Sequence, residues 1–206
     1  MTKFNQKEKI DMNKAKIWVT SDWHFCHDKS FCYSSRGYVS SEQMNRGLVN
    51  KHNALVSSND IVYCLGDCFM GKDLDRGKKI IESLSGNLIL LVGNHDTPKK
   101  RDMYASCKNV VELGEYSMML KHKKWQFLLS HYPTLTANFD DEKFAKSRVI
   151  NLAGHSHINL PFFDWERYNS PIYHCEVDAH NGYPILLDDI INQIEEKVNE
   201  NKVERV

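Results

Sequence analysis

Five short clusters of carboxylate, imidazole and amide side chains lie along the chain, and each follows an apolar run that predicts a β-strand. In two of them a glycine ends the run, after residues 60–65 and 87–92, and a side chain that can bind a metal comes next. Because parallel strands deliver their carboxyl ends to a common edge, we expect the clusters to converge. The candidate ligands are Asp22, His24, Asp67, Asn94, His131, His155 and His157.

Side chains of these types predict a centre with two metal ions. Carboxylate, imidazole and amide groups suit manganese, iron, nickel or zinc, and the candidate set contains no thiolate. One ion takes about four to six ligands, so the set is too large unless a carboxylate is shared between two ions about 3.5–4 Å apart. Such a pair lowers the pKa of a bridging water and neutralises phosphate oxygens, which is the chemistry of phosphate-ester hydrolysis.

Each candidate also has a simpler interpretation. Asp22 and Asp67 can cap strand ends, and Asn94 can occupy a turn beside Gly93. Four histidines at strand exits are not expected from core packing, however, so the joint pattern favours the metal site. The histidines without this context are expected to be surface or packing residues, namely His52, His122 and His174, and His180 lies in a turn-like segment as a weaker site candidate.

The apolar patterns predict an α/β (α+β) fold. Three strands alternate with two helices in the first half, which favours a parallel sheet with its ligands at the carboxyl ends. These elements are predicted at residues 15–20, 40–57, 60–65, 73–84 and 87–92, with a long loop at 21–38. Beyond Asp96, short strands at 108–113, 116–120 and 124–129 predict an antiparallel meander. Two further strands and a closing amphipathic helix are predicted at 148–153, 171–177 and 187–198.

Composition limits the class and compartment of the protein. The length of 206 residues suits one domain, predicted at 15–206 after a flexible N-terminal leader at 1–14. The 27 basic and 27 acidic residues cancel, which makes long nucleic acid an unlikely partner. The six cysteines contain no CxxC pair and favour the reduced thiols of a cytoplasmic protein over a disulfide framework or a zinc site. No apolar window is long enough to cross a bilayer.

The clusters together resemble a known family. Asp22-x-His24, Gly66-Asp67, Gly93-Asn94-His95-Asp96, His131 and Gly154-His155-x-His157 occur in the order of the calcineurin-like metallophosphoesterase superfamily, over residues 17–157. The run from Thr20 to His27 is most similar to small single-domain phosphoesterases of bacteria and phages. The resemblance implies a four-layer α/β/β/α sandwich with two mixed β-sheets and a dinuclear metal site at strand ends.

The resemblance also implies a role for each candidate. Asp22, His24 and His157 would hold the first ion, Asn94, His131 and His155 the second, and Asp67 would bridge them. His95 would face the leaving group as general acid or electrostatic stabiliser, with Asp96 orienting its imidazole.

His27 and Arg36 are candidates for binding the substrate. Both follow the first ligand cluster in the long loop, where a phosphate would need donors that the metals do not supply, and the relatives favour the same role. The alternative interpretation is a solvated loop.

The sequence therefore predicts a phosphoric ester hydrolase with two divalent metal ions, manganese foremost and iron, nickel or zinc as alternatives. Its expected substrates are small phosphodiesters, such as cyclic nucleotides, or phosphomonoesters, attacked by a metal-bridging hydroxide. The alternatives are a nuclease acting on short RNA or DNA, and a non-catalytic binding scaffold. Asp75-Arg76-Gly77 is displaced into the next helix relative to the Asp-Arg-Gly of protein phosphatases, which argues against that class. The physiological substrate and the oligomeric state stay open.

Overall fold

The computed structural model describes residues 15–136, 149–168 and 171–203. The predicted leader at 1–14 lies outside these residues. The strands are β1 (Ile17–Thr20), β2 (Ile61–Cys64), β3 (Asn87–Leu90), β4 (Val110–Leu113), β5 (Ser117–His122), β6 (Trp125–Ser130), β7 (Val149–Ala153), β8 (Ile172–His174) and β9 (Ile185–Leu186). The helices of the described part are α1 (Ser30–Ser35), α2 (Ser41–Leu55), α3 (Leu74–Glu82), α4 (Pro98–Ala105), α5 (Phe163–Tyr168) and α6 (Leu187–Val203).

The strands form two mixed β-sheets, as predicted. The first has the order β4-β3-β2-β1-β9, in which β1 to β4 are parallel and β9 is antiparallel to β1. The second has the order β5-β6-β7-β8, in which only the β5–β6 pair is antiparallel. Both sheets therefore present carboxyl ends of parallel strands, and the candidate ligands follow those ends.

The first sheet separates two hydrophobic cores. On β2, Val62 and Cys64 belong to the core formed with α2, α3 and α4, whereas Ile61 and Tyr63 belong to the core shared with the second sheet and α6. Successive side chains of a strand point to opposite faces, so the apolar run of β2 is buried on both. The layering agrees with the four-layer sandwich that the resemblance implies.

The helix after the first ligand loop begins where the sequence predicts. Ser40 is the N-cap of α2, and its hydroxyl accepts a hydrogen bond from Gln43 N at 3.2 Å. The Gln43 side chain in turn accepts from Val39 N at 2.8 Å, so two otherwise unpaired donors are satisfied. Met44 and Leu48 then face the core.

The predicted antiparallel meander is confirmed for its last two strands and wrong for its first. Of its three strands only β5 and β6 form an antiparallel hairpin, with His122 opposite Trp125 and a left-handed residue, Lys123, in the turn. β4 instead extends the first sheet in parallel with β3, and β6, β7 and β8 run parallel in the second. Local alternation identifies a strand but does not choose its partner, which depends on how the two cores close.

Four shorter elements have no predicted counterpart: α1, α4, α5 and β9. α1 lies within the segment predicted as a loop and has only six residues, and β9 has only two. Such elements are too short to show a periodicity. Within the described ranges, no helix combines the length and apolar character that spanning a membrane requires.

His52 is a buried histidine in α2 without a charged partner in the described part of the chain. Its Nε2 lies 2.9 Å from Ser85 O, while its Nδ1 has no hydrogen-bond partner there. The ring packs edge-on against Trp23, with centroids 5.7 Å apart. Burial lowers the pKa of His52 to about 4, and the bond to Ser85 O opposes this only in part. His52 is thus a packing residue, as the sequence suggested.

We expect His52→Gln to flatten the pH dependence of stability between pH 4 and 6.5. In this window the unfolded chain protonates His52 and the folded chain does not, so the wild type loses stability as the pH falls. At about 1.4 kcal/mol per pKa unit the loss reaches roughly 3 kcal/mol. Urea unfolding of both proteins in chelator at several pH values measures it, and a variant with the wild-type slope would contradict the assignment.

Candidate active site

The loops that follow β1 and β2 are hydrogen-bonded to each other. Asp22 N donates to Gly66 O at 3.1 Å, and His24 N donates to Asp67 O at 3.1 Å. The loop that follows β7 is bonded to them as well, because His155 N donates to Asp22 Oδ2 at 2.8 Å. These bonds bring clusters from distant parts of the sequence to one edge of the sandwich, as expected from parallel strand ends.

Backbone strain is concentrated in the candidate ligands. Positive φ values, which non-glycine residues rarely adopt, occur at Asp22 (57°), His24 (51°), Asp67 (51°), His155 (75°) and His157 (51°). Each such residue costs roughly 1–3 kcal/mol and persists only when its surroundings impose the conformation. Strained residues of this kind are common at functional sites, where the unusual backbone conformation orients side chains toward a common point.

Two of the buried ligand atoms have no hydrogen-bond partner. Asp22 Oδ1 and His24 Nε2 are both unpaired and lie 3.5 Å apart, and His157 Nε2 lies 3.7 Å from Asp22 Oδ1. These three side chains present ligand atoms within 4.8 Å of one another. Two ligands on a single ion, with bonds of about 2.1 Å, are separated by about 3.0–3.4 Å. The spacing of these unpaired atoms therefore fits a shared cation.

Asp67 occupies the middle of the site. Its Oδ2 lies 3.5 Å from His24 Nε2, 3.5 Å from His131 Nε2 and 3.9 Å from His95 Nε2. These distances are too long for good hydrogen bonds. Asp67 and His131 also form a ligand group with Asp22. The carboxylate thus faces both halves of the candidate ligand set, as a bridging residue would.

The second half of the set converges on the Asn94 amide. Asn94 Oδ1 lies 2.8 Å from His131 Nε2 and 2.9 Å from His155 Nδ1. His131 Nδ1 lies 2.9 Å from Leu65 O and donates to it, so in the neutral ring Nε2 carries a lone pair that faces the Asn94 oxygen. A cation bound between these two lone pairs would satisfy both atoms. Imidazole nitrogen and amide oxygen are also suitable ligands for a divalent metal ion.

The two carboxylates of the site stay ionised. Burial raises the pKa of Asp22, but the neighbouring imidazoles of His24, His131 and His157 outweigh it and hold the pKa below its usual value. Burial likewise raises the pKa of Asp67. The neighbouring His24 and the backbone N–H of His95 together have the larger, opposite effect, so the pKa of Asp67 lies below its usual value. Negative charge is therefore held at the centre of the site.

Arg36 does not have the free donors that a substrate-binding role needs. Its Nε and Nη2 each donate to the Asp178 carboxylate at 2.8 Å. The remaining N–H groups face Trp23 O at 2.9 Å, Asp22 O at 3.0 Å and Met44 Sδ at 3.8 Å. A guanidinium has five N–H donors, and all are matched. In this structure Arg36 therefore secures the backbone of the first ligand loop, and its contact with a substrate phosphate stays a prediction.

Asp178 is a site residue that the sequence did not reveal. Its Oδ2 lies 2.8 Å from His157 Nδ1 as well as accepting from Arg36. A carboxylate that receives the second nitrogen of a ligand histidine fixes the tautomer and aims Nε2. Burial raises the pKa of Asp178, yet the His157 and Arg36 contacts hold it far below its usual range. The contact to Arg36 spans 142 positions, so no local pattern signals it.

We expect Asp178→Asn to weaken Mn²⁺ binding by about 10–100-fold, the usual effect of losing a carboxylate behind a ligand histidine. The amide cannot hold the charge that orients His157 and neutralises Arg36. Calorimetric titration of the chelator-stripped protein measures the loss, at a temperature where thermal melts show both proteins folded. Asp188→Asn, which removes a half-exposed carboxylate paired with Lys123, is the matched control and should bind as the wild type does. Equal affinity of Asp178→Asn and the wild type would refute the role.

The partners of Asp96 differ from those implied by the resemblance. Its Oδ2 accepts from Asp67 N and Gly93 N, each at 2.9 Å, and its Oδ1 accepts from Tyr104 OH at 2.7 Å. Both oxygens are thus committed to the backbone of two ligand loops and to α4. Asp96 thus joins the loops that carry Asp67 and Asn94, and its orientation of the His95 imidazole stays a prediction.

His95 is held through its backbone rather than its ring. Its N–H donates to Asp67 Oδ1 at 2.8 Å, which places the residue beside the candidate bridging carboxylate. The side chain is 46% exposed, and its ring centroid lies 5.7 Å from that of His24. The imidazole is therefore near the ligands and open to a bound molecule, as a proton donor to a leaving group needs to be.

His27 lies next to the site without entering the ligand set. Its ring stacks on His24 with centroids 5.7 Å apart, and its Nδ1 accepts from Lys29 N at 3.3 Å. Burial and the charge of His24 lower the pKa of His27. Its contact with substrate stays a prediction.

A buried chain of three titratable residues lies behind the last ligand loop. His174 sits between Asp164 and Glu176, at 3.0 Å from each carboxylate, and Glu176 Oε1 accepts from Ser156 N at 3.1 Å. Ser156 separates two candidate ligands, so the expected packing histidine, His174, supports their loop. His180 bonds to His174 O at 2.9 Å, which accounts for the position of its ring outside the ligand set.

The sandwich and its ring of imidazole and carboxylate groups are those of a metal-dependent phosphoester hydrolase. Residues 15–203 match the model of the calcineurin-like phosphoesterase family. The chain therefore belongs to this family, as the five motifs indicate.

The chain is also similar to individual proteins from other organisms. An uncharacterized protein of Methanocaldococcus jannaschii is 30% identical over 191 residues, which cover 89% of this chain and 94% of the relative. The crystal structure of a protein of unknown function from Aquifex aeolicus shares the fold, with a TM-score of 0.66 and 22% identity over 87% of this chain and 99% of that one. A phosphoesterase from E. coli gives a TM-score of 0.44 at 15% identity, over 78% of each chain.

Proposed function

We propose that the protein is a dinuclear-metal phosphoesterase that hydrolyses small phosphodiesters or phosphomonoesters. The observation that carries the proposal is the position of two candidate ligand atoms, His24 Nε2 and His131 Nε2, each 3.5 Å from Asp67 Oδ2 and too far from it for a good hydrogen bond. Protein groups left in this way, buried and with their lone pairs converging, are stabilised by cations. Membership of the family supports the same chemistry.

Seven side chains would hold the ions. Asp22, His24 and His157 would take the first ion, Asn94, His131 and His155 the second, and Asp67 would lie between them. The ions, when bound, supply charge that neutralises phosphate oxygens and acidifies water. Manganese is our choice among divalent metals because the oxygen and nitrogen donors suit it and no thiolate takes part, with iron, nickel and zinc as alternatives.

The protein's own groups position the ester and complete the reaction. Hydrolysis forms a bond from a water oxygen to phosphorus and breaks the bond from phosphorus to the alcohol oxygen. The imidazole of His95, which is 46% exposed, would give a proton to that departing oxygen. The bond from its backbone N–H to Asp67 Oδ1 keeps the residue beside the candidate ligands.

The proposal includes a cytoplasmic location, which the free state of all six cysteines favours. A nuclease acting on long chains has less support, because the net charge of zero provides no excess of basic residues to follow a nucleic acid backbone. A silent scaffold also has less support, because the motif positions of the candidate ligand set are all filled.

Hydrolysis by the stripped and reloaded protein tests the proposal. We expect the chelator-treated protein to be inactive on bis-p-nitrophenyl phosphate and to recover activity as Mn²⁺ binds, up to two ions per chain. His95→Ala should lower kcat by about 10²–10⁴-fold with the metal content unchanged. His122→Ala, at a side chain that is 25% exposed and paired with Asp188, is the control. Two bound ions without turnover of any phosphate ester would instead favour the scaffold.

A further inference from the structure

A large chamber opens beside the candidate ligands. It has a volume of about 760 Å³, and His24, His95 and His157 are among the residues that line it. Residues of α1, α2 and the turn at 177–182 also contribute to its lining. Pockets that enclose a whole small molecule measure about 300–1,000 Å³. The chamber is therefore large enough for much more than the phosphate group that the metals would bind.

The walls away from the ligands combine aromatic, apolar and polar groups. The residues that carry the argument are Phe31, Tyr38, Leu48, Lys51, Asn159 and Asn181. Phe31 is 71% exposed, and its ring meets His27 edge-on with centroids 5.2 Å apart. An aromatic ring that stays this exposed at the wall of a chamber offers a face on which a planar ligand can stack.

Lys51 supplies the cation of the chamber. Its ammonium donates to Asn181 O at 2.6 Å and lies 5.7 Å and 5.2 Å from the ring centroids of Tyr38 and Tyr183. In the described ranges no carboxylate lies within ion-pair distance of it. Arg36, the other cation of the wall, is fully committed to protein acceptors. Lys51 is thus the lining cation with donors left for a ligand, since an ammonium has three.

We propose that this chamber binds the alcohol half of the substrate and that this half is a nucleoside, its base stacked on Phe31 and its polar edge facing Lys51 and Asn181. The inference rests on the proposed function, since the phosphate would lie at the metals. A nucleoside presents an aromatic face and a polar edge together, and this wall offers partners to both. A sugar phosphate would leave Phe31 without a partner, and an acyl chain would leave Lys51 without one.

Two chromogenic diesters that differ only in the retained alcohol test the inference. These are thymidine 5′-(p-nitrophenyl) phosphate and methyl p-nitrophenyl phosphate. We expect the Mn²⁺-loaded protein to show at least a tenfold lower KM for the thymidine ester. Phe31→Ala and Lys51→Met should each raise the KM for the thymidine ester, relative to that for the methyl ester, by about tenfold, the range seen when a stacking partner is lost. Tyr116→Ala, at a 63% exposed ring outside the chamber wall, should leave the ratio unchanged.

Equilibrium binding separates failure of the chamber from failure of the proposed function. Calorimetric titration with thymidine 5′-monophosphate should give about tenfold weaker binding to Phe31→Ala than to the wild type, while inorganic phosphate binds both alike. Turnover of both esters without preference, or an equal effect of Phe31→Ala on both, overturns the nucleoside assignment and leaves the hydrolase standing. Nucleotide binding that depends on Phe31, without turnover of either ester, supports the chamber and overturns the hydrolase. Absence of nucleotide binding overturns the chamber.

Discussion

Asp67→Asn is expected to reduce metal-dependent hydrolysis by about 10³-fold or more, because one carboxylate serves both halves of the site. The amide keeps the volume but loses the negative charge. It can also turn its NH₂ toward the imidazoles of His24 and His131, which lie 3.5 Å from Oδ2. Steady-state rates on bis-p-nitrophenyl phosphate at saturating Mn²⁺ measure the loss, and metal analysis of the dialysed variant should show fewer ions per chain.

The control for this prediction is a carboxylate of purely local function. Asp73 caps α3 by accepting a hydrogen bond from Arg76 N and is not one of the candidate ligands, so Asp73→Asn should keep wild-type rates and metal content. An Asp67→Asn protein that retains two ions and more than a tenth of the wild-type kcat would show that the carboxylate is not shared.

The convergence of the candidate ligands could be predicted because each of them comes after a strand that the sequence marks clearly. β2 and β3 are apolar runs that end at a glycine, and parallel strands place the residues after their carboxyl ends at one edge of the sheet. The partners of those ligands could not be predicted. Asp178 and Asp96 act through single contacts to residues in other loops, and a contact of that kind leaves no periodic pattern.

Arg36 shows why position alone does not give a role. A cation in the loop after a ligand strand is well placed for a phosphate, and the sequence favours that interpretation. The folded chain brings Asp178 to 2.8 Å from this guanidinium and buries the pair, so the donors are used internally. Burial of an ion pair from distant segments is decided by the packing of the whole sandwich, which the local sequence does not describe.

The left-handed backbone of the ligands is also absent from the sequence pattern. Glycine is the residue that usually marks positive φ, yet Asp22, His24 and Asp67 adopt it near 50–57°. Their conformation is imposed by hydrogen bonds between neighbouring loops, such as the one from His24 N to Asp67 O. The strain stored there lowers the stability of the chain and aims the side chains inward.

Gly93→Ala is expected to disable the site by displacing Asp67. A Cβ at this position would overlap Asp67 Oδ1 and lie 2.5 Å from Asp67 N and 2.7 Å from its Cγ. Neither the backbone nor the carboxylate can move easily, because Asp67 N is bonded to Asp96 and Oδ1 to His95 N. We expect at least a 100-fold loss of Mn²⁺ affinity, and a stability loss of about 1–3 kcal/mol from overpacking. Calorimetric titration and urea unfolding measure the two effects.

Gly114→Ala separates this effect from the general cost of adding a methyl group after a strand of the first sheet. There the new Cβ would approach Leu91 Cδ2 at 2.6 Å, the tip of a flexible side chain, and nothing else closer than 3.4 Å. Its metal affinity should match that of the wild type. Gly93→Ala can then be compared directly with Gly114→Ala. If both bind Mn²⁺ equally tightly, the close approach of the β3 loop to Asp67 does not help to position the candidate ligands. That result would also count against the bridging position proposed for Asp67.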